Sequence, residues 1–101
     1  MMLAAETLRR AGHGSVSADI ASDLLAHGGQ LVDLRSPDEF RRSATPGALN
    51  LPLDALAWDH RQLDKGEPVI VCGAGDVACL RAAHRLAGQG FARIYHLDLL
   101  S

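Results

Sequence analysis

At 101 residues, with 48% hydrophobic and 22% charged residues and a formal net charge of −2, the chain is long enough to bury one core without metal or disulfide support. That balance excludes a disordered chain, a basic nucleic-acid-binding face and an acidic tail. No apolar run reaches bilayer length, Met1 to Arg10 lacks a signal-peptide pattern, and the two cysteines are separated by only six residues. A cytoplasmic, reducing setting with no membrane partner is expected.

Residues 1–15 read as a lead-in, with a short helix over Leu3 to Arg10 that ends in Ala11-Gly12-His13-Gly14, and residues 16–101 as the domain. Ser17 is a good N-cap for a helix whose stripe is Ile20, Ala21, Leu24 and Leu25, stopped by His27-Gly28-Gly29. Gln30 to Arg35 reads as a short apolar strand with Asp33 and Arg35 projecting together, a scaffold ion-pair network that includes Glu39. Ser36-Pro37-Asp38-Glu39 caps a further helix anchored by Phe40, and Arg42, just beyond, is the basic group expected at the pocket mouth. Pro46-Gly47 makes a turn, Ala48 to Leu51 a brief strand, and Leu53 to Trp58 another helix after Pro52.

The chemistry concentrates in Pro68 to Ala78. Val69, Ile70 and Val71 leave no wet face, which suits a parallel strand covered on both sides, and Cys72 ends it. Gly73 and Gly75 admit positive φ and close approach, so the backbone N–H groups of Gly73, Ala74, Gly75, Asp76, Val77 and Ala78 are expected to converge on an anion beside the sulfur. A helix follows over Val77 to Ala87, and its positive end is expected to lower the thiol pKa, while Asp76 opposes it. Gly88-Gln89-Gly90 stops this helix and Ala92 to Leu97 forms the last strand. Alternating strands and helices predict an α/β domain with a mainly parallel central sheet flanked by helices and its site at the carboxyl end of the strands. Cys79, a turn into the helix, reads as core packing, His84 and His96 as structural or exposed, and no histidine shares metal-ligand spacing with a cysteine.

Four pieces in this order resemble a rhodanese-like domain, over roughly Val16 to Leu97: Leu31-Val32-Asp33-Leu34-Arg35-Ser36-Pro37-Asp38-Glu39-Phe40, Pro46 to Leu53, Val69-Ile70-Val71-Cys72, and Gly90 to Leu97. The resemblance implies a small three-layer α/β fold and a sulfurtransferase. Its cysteine, matched here by Cys72, accepts sulfane sulfur from a donor such as thiosulfate as a persulfide and passes it to cyanide or a thiol, with a protein donor or acceptor as a further partner and no metal or organic cofactor. The chain departs from the family where a loop basic residue and hydroxyl are matched by Val77 and Ala78, where Ser43-Ala44 replaces a glycine-histidine pair, and where a C-terminal closing segment is absent after Asp98-Leu99-Leu100-Ser101.

Two other readings share these residues. A non-catalytic rhodanese-like interaction module would keep the fold and leave the thiol idle. The pattern Gly73-x-Gly75-x-x-Ala78 between strand and helix also fits a nicotinamide dinucleotide-binding βαβ unit with Asp98 on the ribose. A thiol-based phosphatase is disfavoured because residues 73–78 contain no arginine to grip a phosphoryl group.

Overall fold

The structure is a computed structural model that describes residues 13–97. Five parallel strands form one sheet in the order β1-β5-β4-β2-β3. They are β1 (His13–Val16), β2 (Gln30–Asp33), β3 (Leu49–Asn50), β4 (Val69–Cys72) and β5 (Ile94–Leu97). The helices are α1 (Ala18–Ala26), α2 (Pro37–Arg42), α3 (Leu56–Asp59) and α4 (Gly75–Gly88), with 3-10 turns at Leu53–Ala55 and His60–Gln62 on either side of α3.

Local chemistry sets most of these boundaries. Ser17 accepts the Ile20 N–H to start α1, and Ser36 accepts the Glu39 N–H to start α2, with Pro37 at its first position. Asn50 donates its side-chain amide to the carbonyls of Asp33 (3.1 Å) and Arg35 (2.9 Å), which ties β3 to the exit of β2. Strand β4 is buried along its whole length, as a covered parallel strand must be.

Side-chain alternation along the sheet divides the core in two. Val69 and Val71 of β4 pack with Val32, Leu56, Ala82 and Leu86, beneath α3 and α4. Ile70 and Cys72 point the other way and pack with Leu24, Leu31 and Tyr95 on the α1 side. From β2 the chain crosses outward to β3, whereas from β4 it crosses in the opposite direction to β5. The gap between the carboxyl ends of β2 and β4 is therefore a topological switch point, where open α/β sheets leave a crevice.

Four expectations need correction, and one lies out of range. His13, Gly14 and Ser15, expected as lead-in, form an edge strand with Val16 that pairs with β5, because their backbone groups complete the β5 ladder even though the sequence carries glycine. The predicted helix over Leu53 to Trp58 is a 3-10 turn followed by the single α-helical turn of α3. Phe40 does not anchor α2 in the core: it is half-buried, and α2 has no buried residue. The predicted helix from Val77 starts two residues earlier, at Gly75. The helix expected over Leu3 to Arg10 lies outside the described residues.

Candidate active site

Cys72 closes β4 and is the register partner of Asp33 at the end of β2. Alternation places both side chains on the α1 side of the sheet, at the switch point. Asp33 is fully buried and held by a dense set of donors. The Arg35 guanidinium gives Nε to Oδ1 (3.1 Å) and Oδ2 (3.2 Å) and Nη2 to Oδ2 (2.8 Å), the Arg35 backbone N–H donates to Oδ1 (3.0 Å), and Thr45 Oγ1 donates to Oδ2 (2.9 Å). Burial alone would raise the Asp33 carboxyl, but these bonds outweigh it and hold its pKa below 3.8. The same contacts raise the Arg35 pKa, so the pair is a fixed, mutually neutralised unit.

The loop after Cys72 is shorter than the sequence implies. Only Gly73 and Ala74 lie between β4 and α4; Gly75, Asp76, Val77 and Ala78 form the first turn of the helix. Gly73 (φ 77°), Ala74 (φ 60°) and Gly75 (φ 86°) all sit in the left-handed region, which is a strained placement for the alanine. Gly73 is required twice over. A Cβ there would lie 2.9 Å from both Asp33 Oδ1 and Arg35 Cγ. That close fit gives the glycine a packing role against the ion pair. Ala74, the N-cap of α4, supplies no capping side chain. The N–H groups of the first turn thus keep no intrahelical partner and no side-chain cap, and remain available to an anion.

The thiol itself runs against expectation. Instead of being lowered, Cys72 is pushed up from 9.0 to about 11, first by burial and then by the negative charge of Asp33, with coupling to the neighbouring Cys79 thiol as a further cause. Arg35 and a Thr45 hydrogen bond pull the other way and are outweighed. The carboxylate that opposes the thiolate is Asp33 rather than Asp76, whose charge raises Cys79 instead. Cys79 is buried in the core beneath α4, as expected, with its thiol donating to the Gly73 carbonyl (3.6 Å).

Arg42 is exposed in the last turn of α2, and its side chain forms no ion pair or hydrogen bond among the described residues. The basic side chain against the loop is Arg35, which also donates Nη2 to the Ser43 carbonyl (2.7 Å). Glu39 stays outside the ion pair and accepts from Ser36 Oγ (3.0 Å). Thr45 is the residue that sequence reasoning missed, since nothing local marks a threonine before a Pro-Gly turn as a partner of a strand aspartate twelve residues earlier. No group of three or more His, Cys, Asp or Glu side chains among the described residues is arranged to hold a metal ion. His84 is exposed and His96 half-buried.

The family model described as "Rhodanese-like domain" matches residues 17–99. The chain belongs to this family. It is 35% identical over 79 residues to a protein of Pseudomonas syringae named thiosulfate sulfurtransferase GlpE, a match covering 77% of this chain and 74% of that one. Among solved structures it resembles the Rhodanese_3-like domain of the Anabaena protein Alr3790, with a TM-score of 0.66 and 25% identity over 71% of this chain and 84% of that one. It also shares the fold of part of EanB, with a TM-score of 0.72 and 19% identity over 87% of this chain, which spans about a quarter (24%) of that protein. Family membership sets aside the dinucleotide-binding reading. No helix of the described residues is long and apolar enough to cross a membrane.

Proposed function

We propose that the chain is a sulfurtransferase in which Cys72 carries the sulfur. The Cys72 thiolate attacks the outer sulfur of a donor such as thiosulfate; the new S–S bond forms as the donor's own bond breaks, and sulfite leaves with the electron pair. Cyanide or a thiolate then attacks the terminal sulfur of the Cys72 persulfide and departs as thiocyanate or a new persulfide, which returns the Cys72 thiolate. Gly73 and Ala74 and the first-turn N–H groups from Gly75 to Ala78 stabilise the anion at the sulfur, and no cofactor takes part. Arg35 is the cation coupled electrostatically to Cys72, and Arg42, exposed at the end of α2, stands at the pocket mouth in this scheme.

The observation that carries the reading is the placement of a cysteine at the switch-point end of β4, directly before an uncapped helix start. The relatives' names support the sulfurtransferase class, and two free, buried thiols suit a cytoplasmic protein. Because the thiol is pushed up to about 11, only a small thiolate fraction exists at neutral pH, and transfer should accelerate as pH rises. That same protonated thiol favours a second reading, a rhodanese-like module that binds a partner without chemistry. The test is cyanide-dependent thiocyanate formation, which the proposal expects in the wild type and in Cys79→Ala but not in Cys72→Ala; its absence in all three supports the binding module.

A further inference from the structure

The segment that closes over the Asp33–Arg35 pair is pinned along its length. The Ser43 carbonyl accepts from Arg35 Nη2 (2.7 Å), and the turn Thr45-Pro46-Gly47-Ala48 is closed by the Ala48 N–H on the Thr45 carbonyl (3.1 Å), with Gly47 in the left-handed region at φ 78°. Ala48 packs against the α1-side core that contains Cys72. Thr45 is half-buried at the start of this turn and donates its hydroxyl to Asp33 Oδ2 (2.9 Å). Asp33 and Cys72 are register partners on adjacent strands, which lie about 4.8 Å apart, and their side chains share one face. A hydroxyl seated on the Asp33 carboxylate is therefore a neighbour of the sulfur. Among the described residues, a hydrogen bond from Thr45 and the charge of Arg35 are the two influences that favour the Cys72 thiolate, against burial, Asp33 and Cys79.

Thr45 differs from the other donors to Asp33. The Arg35 guanidinium is a rigid fork and its backbone N–H is fixed by the chain. They alone keep both carboxylate oxygens bonded, Oδ1 from the backbone N–H and Nε, Oδ2 from Nη2. The threonine hydroxyl carries one hydrogen and turns about its own C–O bond, so it serves the carboxylate or the sulfur but not both. While Cys72 is a thiol, the carboxylate is the stronger acceptor. Once the sulfur is an anion, Asp33 can spare this bond and the sulfur has need of it.

We propose that Thr45 is a catalytic residue of this site, its hydroxyl turning from Asp33 Oδ2 to the Cys72 sulfur as that sulfur becomes an anion. The inference rests on the sulfur-carrying role of Cys72 proposed above. When cyanide or a thiolate bonds to the terminal sulfur of the persulfide, the S–S bond breaks and its electron pair passes to Cys72 Sγ. The Thr45 hydrogen bond meets that charge as it forms. No proton is transferred and no co-reactant is needed.

The test compares the wild type with Thr45→Val, which keeps the shape and removes the hydroxyl, and with Thr45→Ser, which keeps a hydroxyl, all in a Cys79→Ala background. Each is loaded with thiosulfate or benzenethiosulfonate, freed of excess donor and mixed with cyanide, and the single-turnover loss of the Cys72 persulfide is followed. Thr45→Val should slow this step about three- to tenfold, as loss of a hydrogen bond worth about one pKa unit to the leaving thiolate requires, and Thr45→Ser should return it to within about twofold. Alkylation by neutral iodoacetamide at pH 8 should fall about threefold in Thr45→Val, because a tenfold smaller thiolate fraction is partly offset by a more nucleophilic thiolate. Both effects should persist in an Asp33→Asn background, where a hydroxyl acting only through the carboxylate would have none. Persulfide loss at equal rates in the wild type and Thr45→Val, or an effect confined to the Asp33 background, would overturn this inference and leave the proposed function standing. Failure of the wild type to form a Cys72 persulfide with either donor would remove the proposed function and this inference with it.

Discussion

Replacing Asp33 with asparagine should make Cys72 more reactive while making the fold less stable. The carboxylate is the second-largest cause, after burial, of a rise in the Cys72 pKa from 9.0 to about 11. Asparagine keeps the shape but has one acceptor oxygen in place of two, so its amide NH2 faces part of the donor set from Arg35 and Thr45, and it removes the charge and leaves the Arg35 cation unneutralised beside the sulfur. Both effects lower the thiol pKa, by about one unit in total, or about 1.4 kcal/mol of thiolate stabilisation. At pH 8, below either pKa, a one-unit drop multiplies the thiolate fraction about tenfold. The assay is the second-order rate of alkylation by neutral iodoacetamide, followed from pH 7 to pH 11 in a Cys79→Ala background. The midpoint should move down from about 11 and the pH 8 rate should rise about tenfold, less any loss of intrinsic nucleophilicity. Weaker bonds to Arg35 should cost about 2 kcal/mol of stability. An unchanged or higher midpoint in a variant that remains folded would refute the assignment of Asp33 as the group that holds the thiol protonated.

Gly73→Ala should cost about 2–3 kcal/mol in denaturant unfolding, because left-handed strain adds to a Cβ placed 2.9 Å from Asp33 Oδ1. Gly75→Ala, with a similar φ of 86° and nothing within 4 Å of its Cβ, should cost only about 1 kcal/mol; equal losses would discard the packing role of Gly73. Leu86→Ala empties a fully buried position under α4 and should cost about 2–5 kcal/mol, whereas Trp58→Ala, at a site 66% exposed, should shift stability by about 0.5 kcal/mol or less. With its folded pKa held below 3.8, Asp33 adds stability that is present above pH 3.8 and is lost as pH falls through its lower folded value. Acid unfolding of Asp33→Asn should lack that component, and an acid branch identical to the wild type would contradict it.

Much of the fold was legible because it depends on short-range chemistry. Ser17 and Ser36 mark their helices as N-caps do anywhere, and the unbroken apolar run of β4 admits hardly any other placement. Strand β1 was illegible because an edge strand is specified by the ladder it joins, and His13-Gly14-Ser15-Val16 shows no alternation of its own. At the candidate site the position of Cys72 could be read from the sequence, but the sign of its pKa shift could not. The helix dipole is a local feature, whereas burial and the Asp33 charge follow from β2 lying beside β4 in register, which only the assembled sheet determines. The place of Arg35 against the loop was illegible for a similar reason. Gly73, far along the chain and with no side chain in the way, lets Arg35 lie there, and nothing beside Arg35 in the sequence marks that contact.

The most direct test of the account is the intact mass of the protein under non-reducing conditions before and after exposure to a sulfane-sulfur donor, thiosulfate and benzenethiosulfonate in turn, for the wild type, Cys72→Ala and Cys79→Ala. The account predicts a gain of one sulfur atom in the wild type and in Cys79→Ala, abolished in Cys72→Ala and reversed by cyanide. A gain that survives in Cys72→Ala, or no gain from either donor in a folded wild type, would contradict it.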